Sequence, residues 1–199
     1  MRTVVNPRAR LAGLRRVLAK DDVRSLSRRY FVANGFDGTL TSIGVVVGAY
    51  LSGVADGIAV IGIGLGAAVG LGTSGIWSVW EIERAETSME QRELEAAMLT
   101  DLDDTRLSRD LRNEQIVLAL AAASGPVIGV AVSLTPFLFA GTVLTMFQAL
   151  LASIALGIGM LAGVGAYLGA ISRQRWYVAA ARMGLAGIVV AVLSVFLPG

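Results

Sequence analysis

A row of acidic residues in the middle of the chain has the composition and spacing of a cation-binding surface. Residues three, four and seven positions apart share one face of a helix. Four glutamates have this relationship, and three further acids flank them: Glu83, Glu86, Glu90 and Glu93, with Glu81, Asp101 and Asp104 as additional candidates. The four carboxylates repel one another, and a divalent cation that accepts oxygen ligands, such as Mg²⁺, Ca²⁺, Mn²⁺ or Fe²⁺, would relieve that repulsion. The alternative is a solvated helix whose acids are balanced by neighbouring arginines, because most charge runs are solvated faces.

Asp37 is the second candidate for chemistry. It lies in the run NGFDGT at 34–39, immediately before a long apolar stretch. Ionisable groups at membrane depth are costly and tend to be functional, so its carboxylate is a candidate to bind a cation or a proton in a vestibule that faces the cytoplasm. The alternative is an N-cap, with the carboxylate accepting a hydrogen bond from an amide of the first helical turn. The two roles are compatible.

Several classes of site are excluded by composition. The chain has no cysteine and no histidine. Disulfides, thiolate or imidazole metal sites, Ser/His/Asp triads and histidine-based proton switches are therefore absent. No nucleophile–base pair or cofactor motif is present either, so the sequence does not predict an enzyme, a permanently bound cofactor or a nucleic-acid partner.

The elements that position these residues are predicted to be membrane helices. The chain is 55% hydrophobic and 16% charged, with a mean hydropathy of +0.68, whereas soluble domains are about 25% charged. A spanning helix needs about 20 mostly apolar residues. The sequence predicts an all-α integral membrane protein with five such helices, at 37–51 (continuing to 54), 57–80, 115–134, 141–171 and 177–197.

The chain divides into four predicted parts. Residues 1–30 are basic, and the spacing of Leu11, Leu14, Val17 and Leu18 predicts an amphipathic helix at the membrane surface; a disordered basic tail is the alternative. Residues 31–80 form a transmembrane hairpin. Residues 81–114 contain no Pro or Gly and begin with strong helix formers, which predicts a cytoplasmic helical extension followed by a return segment. Residues 115–199 hold helices three to five.

The basic residues predict the orientation of the chain in the membrane. All seventeen Lys and Arg residues fall on one side of the predicted spans, and the only ionisable side chain on the other side is Asp56. Because positively charged loops stay in the cytoplasm, the amino terminus is predicted inside and the carboxyl terminus outside. The sixteen arginines against one lysine suggest a GC-rich prokaryotic genome, and hence a plasma-membrane location.

Small residues recur every four positions along helix two. They are Gly62, Gly66, Gly70, Ser74 and Ser78. Such a stripe lets another helix backbone approach closely, so these glycines are predicted to serve helix packing. A phosphate-binding role is disfavoured because no strand precedes them.

The run NGFDGTLTSIGVVVGA at 34–49 resembles the first-helix signature of the vacuolar iron transporter family, in which an Asp-Gly pair opens helix one. A glycine-rich second helix, an acidic helix growing out of it, and the pair Pro136-Phe137 at the end of helix three match in order. The chain departs from the family pattern at 71–77, LGTSGIW, where the family has a methionine and a glutamate.

The resemblance implies a five-helix protomer that forms a homodimer and exports Fe²⁺ or Mn²⁺ from the cytoplasm in exchange for protons. Asp37 would then be the transmembrane cation or proton ligand, and Glu83, Glu86, Glu90 and Glu93 would collect metal on the cytoplasmic side. The competing hypothesis is a non-transporting membrane scaffold whose charged helix binds a partner or the lipid surface. It predicts no metal binding and tolerance of Asp37→Asn.

Overall fold

The computed structural model of the chain describes residues 17–99 and 106–196, the side chains of 106–109 excepted. These residues form five long helices: α1 (Asp21–Leu51), α2 (Gly57–Met98), α3 (Arg106–Leu134), α4 (Met146–Ile171) and α5 (Trp176–Val195). All five contain a stretch long and apolar enough to cross a membrane. The predicted all-α membrane fold with five spanning helices is therefore confirmed. The predictions for Leu11, Leu14, Asp101 and Asp104 lie outside the described residues.

Helix α1 begins much earlier than predicted. It starts at Asp21 with Lys20 in the N-cap position, and it runs without a break to Leu51. The interpretation of Asp37 as an N-cap is therefore wrong, because Asp37 lies in the interior of the helix. Asn34, Gly35 and Gly38 have weak helix propensity, but here they lie on a helix that packs tightly against α3. Tertiary packing overrides the local preference.

Glycines allow α1 and α3 to cross in backbone contact. A Cβ atom added to Gly38 would lie 2.4 Å from the Cα of Pro126, and one added to Gly125 would lie 2.3 Å from the carbonyl oxygen of Phe31. No larger residue fits at either position without moving a helix. Pro126 lies inside α3 without ending it. The helix ends just before Pro136, which belongs to the short 3₁₀ helix Thr135–Phe139.

Helix α2 is the longest element, with 42 residues. At 1.5 Å per residue it extends about 63 Å, roughly twice the thickness of a bilayer hydrocarbon core. Its first turn is capped by Asp56, whose Oδ1 accepts a hydrogen bond of 3.0 Å from the amide of Ile58. The predicted spanning segment 57–80 and the acidic residues after it therefore belong to one continuous helix.

The other helices complete a bundle around α1 and α3. Helix α3 packs between α1 and α2, while α4 packs along α5 and both also contact α1. Helix α4 begins at Met146 rather than at residue 141, with Thr145 and Gln148 forming a capping box. Two groups of buried side chains stabilise the bundle at its two ends. The first includes Val46, Val60, Val130 and Phe137, and the second includes Val17, Val23, Val79 and Leu118.

Candidate functional site

Asp37 points away from the bundle. Its side chain is exposed, whereas the next two residues, Gly38 and Thr39, are buried. A Cβ atom on Gly129 of α3 would lie 2.6 Å from the hydroxyl of Thr39, which shows how closely this part of α1 is held against α3. Asp37 forms no hydrogen bond or ion pair with any residue that the structure describes. The tight helix crossing thus fixes the direction in which an unpaired carboxylate projects.

The position of Asp37 along α1 places it at membrane depth. The helix rises about 21 Å between Asp37 and Leu51, and the hydrocarbon core of a bilayer is about 30 Å thick. With Leu51 at one boundary, Asp37 lies within the core. A carboxylate that faced lipid there would be costly, so such groups normally face protein or a water-filled cavity. The described residues of the chain do not cover the exposed surface around Asp37.

Glu83 has a different environment from the other members of the predicted acidic stripe. It is only 8% exposed, and its Oε1 accepts a hydrogen bond of 2.8 Å from the hydroxyl of Tyr30 on α1. The side-chain amide of Gln115 on α3 donates to the carbonyl oxygen of Glu83 at 3.4 Å. Glu83 therefore joins three helices just beyond the predicted spans 37–51 and 57–80.

The same environment raises the pKa of both groups of this pair. Burial raises the pKa of Glu83; the hydrogen bond from Tyr30 opposes that rise, and the negative charges of Glu86 and Glu114 add to it. Burial, followed by the hydrogen bond to Glu83, raises the pKa of Tyr30 to about 12. The phenol therefore stays protonated and remains a donor at neutral pH.

The remaining glutamates of the stripe face solvent. Glu81, Glu86, Glu90 and Glu93 are all exposed, and Glu81 lies 4.0 Å from the guanidinium of Arg84. Among the described residues, no three acidic side chains come together closely enough to hold a metal ion. Within one chain, the described part of the stripe is an open acidic surface rather than a closed coordination site.

A second acidic group, on α3, faces the stripe on α2. Lys20 forms an ion pair with Glu114. The hydrogen bond that the Lys20 ammonium donates to Glu114 is the main cause of the raised pKa of Lys20. The negative charges of Glu114, Asp110 and Glu90 contribute as well. Acids from α2 and α3 therefore lie around the same lysine. Sequence reasoning missed Lys20, Asp110 and Glu114, although the four-residue spacing of the two acids indicates a shared helix face.

The glycines predicted for helix packing lie on the outer surface of α2. Gly62, Gly66 and Gly70 are exposed, and a Cβ atom added to any of them would have no neighbour within 4 Å. Packing within the chain uses other glycines, with Gly64 against Leu134 and Gly75 against the backbone of Ala122. A partner for the predicted stripe is therefore not found among the described residues of the same chain.

Comparisons with known proteins identify the family. The sequence model of the VIT family matches residues 77–198. An uncharacterized protein of Methanocaldococcus jannaschii is 29% identical over 168 residues, which cover 83% of this chain and 85% of that protein. Members of the VIT family transport metal ions across membranes and are not enzymes. This match supports metal-ion transport in general terms.

Proposed function

The chain belongs to the VIT family, and from that premise we propose that it exports Fe²⁺ or Mn²⁺ from the cytoplasm in exchange for protons. The observation that carries the proposal is Asp37, an exposed carboxylate at membrane depth with no partner among the described residues. Oxygen ligands suit both metals. An uncovered carboxylate at this depth is explained if it lines a cation path that a second protomer closes.

A homodimer supplies that second protomer. The exposed face of α2 carries the small residues Gly62, Gly66 and Gly70. It leaves open space in which a helix of another copy can pack. Close backbone approach between such faces is a common basis of helix association in membranes. In this arrangement two copies of Asp37 border one pathway, and the acidic surfaces of two α2 helices approach it from the cytoplasm.

The acidic surface concentrates the metal before it enters the pathway. Glu86, Glu90 and Glu93 are exposed on α2, and Asp110 and Glu114 contribute negative charge from α3. A surface of one sign raises the local concentration of counter-ions and their rate of arrival. In this proposal Glu83 serves a different purpose from its neighbours, because its carboxylate already accepts the Tyr30 hydrogen bond. The proposed orientation, with the amino terminus and the acidic end in the cytoplasm, rests on the position of all seventeen basic residues on that side of the predicted spans. The proposed prokaryotic plasma membrane rests on the preference for arginine over lysine.

The test is metal uptake into proteoliposomes that hold the purified protein, with Fe²⁺ and Mn²⁺ each assayed with and without a pH gradient. Asp37→Ala and Asp37→Asn are expected to reduce uptake to the level of protein-free liposomes, since both remove the charge. The matched control is Asp56→Asn, which changes an exposed carboxylate outside the bundle core and keeps an acceptable helix cap. A variant with Glu83, Glu86, Glu90 and Glu93 all changed to Gln should slow uptake at low metal concentration.

The competing scaffold hypothesis is decided by the same assay. It has one observation in its favour: within the described part of a single chain, no three acids converge on a metal position. Absence of uptake of either metal, together with no metal bound in calorimetry, would establish the scaffold as the better account. Equal uptake by Asp37→Asn and the unmodified protein would remove Asp37 from the pathway.

A further inference from the structure

A groove of about 700 Å³ opens on the side of the bundle between α1, α3 and α4. Its walls are apolar, with Phe31 and Val32 from α1 and Met160 and Val164 from α4. A smaller recess continues from it towards Gly35 and Thr39. The groove lies away from the acidic face of α2, and no acidic side chain among the described residues lines it, so its chemistry does not suit a metal cation.

One end of the groove is basic and polar. Arg28 and Ser27 of α1 line it there, with Tyr167 near the end of α4. Arg28 is partly buried, yet it forms no ion pair or hydrogen bond with a residue that the structure describes. The Oγ of Ser27 is buried and likewise has no hydrogen-bond partner among the described residues. A partly buried guanidinium and a buried hydroxyl both favour a partner that accepts hydrogen bonds.

The depth of Arg28 matches that of lipid phosphates. Helix α1 rises about 35 Å between Arg28 and Leu51, whereas the hydrocarbon core is about 30 Å thick and the headgroup regions lie beyond it. With Leu51 at one boundary, Arg28 reaches the headgroup level of the other leaflet. By the same measure Phe31 lies about 30 Å from Leu51, at the level where the acyl chains begin.

We propose that this groove binds one anionic phospholipid, with its phosphate on Arg28 and Ser27 and an acyl chain between α1 and α4. The planar guanidinium forms paired hydrogen bonds to phosphate oxygens, and basic pockets between membrane helices are suited to anionic headgroups. The bound lipid satisfies both unpaired polar groups and fills the apolar volume. It also connects α4 to the part of α1 that precedes Asp37.

Native mass spectrometry of the full-length protein in detergent, titrated with phosphatidylglycerol or phosphatidylcholine, tests the proposal. We expect one phosphatidylglycerol per protomer to be retained in preference to phosphatidylcholine. Arg28→Gln should weaken retention about tenfold or more, the loss expected for a charge-assisted hydrogen bond. The matched control is Arg29→Gln, which removes the same charge from the adjacent, exposed residue outside the groove, and should change retention by less than about twofold.

A second variant tests the groove itself without changing any charge. Gly163 lines the groove, and a Cβ atom there has no neighbour within 4 Å, so Gly163→Leu should keep the fold and displace the lipid. Three results would overturn the proposal. They are equal retention of both lipids regardless of Arg28, full displacement of phosphatidylglycerol by inorganic phosphate, and a change of oligomeric state in Gly163→Leu without any lipid dependence. The last would indicate a second copy of the chain in the groove.

Discussion

The two faces of α2 use the same residue types for different purposes. The inner face, with Gly64, Gly75 and Glu83, is buried against α1, α3 and their side chains, whereas the outer face, with Gly66 and Glu86, is exposed in the single chain. On the inner face, glycine permits backbone contact and glutamate accepts a defined hydrogen bond. On the outer face, neither residue has such a neighbour among the described residues. Residue type and spacing therefore do not distinguish a structural position from one that is available to a partner or an ion.

The largest expected difference between the faces is steric. A Cβ atom on Gly75 would lie 3.1 Å from the carbonyl oxygen of Ala122, so Gly75→Val should destabilise the fold by about 1–3 kcal/mol or more through overpacking. Gly66→Val is the matched control, because its Cβ atom has no neighbour within 4 Å. Thermal unfolding in detergent should show a larger decrease in Tm for Gly75→Val than for Gly66→Val, which loses only the stabilisation that the proposed dimer provides. Size-exclusion chromatography with light scattering should show loss of that dimer in Gly66→Val. Equal Tm values for the two variants would contradict the assignment of the faces.

The next difference concerns the hydrogen bond on the inner face. Tyr30→Phe leaves the buried Glu83 carboxylate without its donor, which should cost about 1–3 kcal/mol. Tyr177→Phe, at an exposed position of α5, is the control and should have little effect. Chemical denaturation monitored by circular dichroism measures both. A Tyr30→Phe protein as stable as the control would show that the hydrogen bond contributes nothing net.

A smaller effect is expected in the dependence of stability on pH. The folded protein raises the pKa of Glu83, so it keeps a proton that the unfolded chain releases. The contribution of Glu83 to the free energy of unfolding is fully present below the ordinary pKa of a glutamate. It decreases as the pH rises towards the pKa of Glu83 in the folded protein. Glu83→Gln should remove this decrease, because its amide oxygen still accepts from Tyr30 and carries no charge.

Melting curves between about pH 4, near the ordinary glutamate pKa, and about pH 8 measure how the Tm depends on pH. Glu93→Gln is the control, since Glu93 is exposed and does not contribute to the shift at Glu83. If both variants retain the dependence of the unmodified protein, another group causes it.

The smallest structural effect is expected on the outer face. Glu86→Gln should change the free energy of unfolding by less than about 0.5 kcal/mol, as is usual for exposed positions. If the acidic surface collects metal as proposed, the same substitution should still lower the affinity for Mn²⁺ in calorimetry. A large loss of stability with unchanged Mn²⁺ affinity would assign Glu86 a structural role instead.

Some of these distinctions were accessible from the sequence, and others were not. The apolar segments, which lie in two groups along the chain separated by a charged stretch, predict five spans. The structure confirms five helices of sufficient length and hydropathy among the described residues. The beginning of α1 was missed by sixteen residues, because Gly35 and Gly38 disfavour a helix locally and are stabilised only by contact with α3. Tyr30 as the partner of Glu83 was also missed, since the two residues are 53 positions apart and no local pattern links them.

The sequence by itself determined the membrane class, the number of apolar helices and the presence of both an acidic surface and small-residue faces, because composition and periodicity depend on neighbours along the chain. Only the tertiary structure decided which face of each helix is used. The crossing of α1 and α3 at Gly38 and Pro126 turns Asp37 outward, and the packing of α2 against α3 buries Glu83 while leaving Glu86 exposed. The rotation of a helix about its axis is set by the close contacts of its partner, which local sequence does not contain.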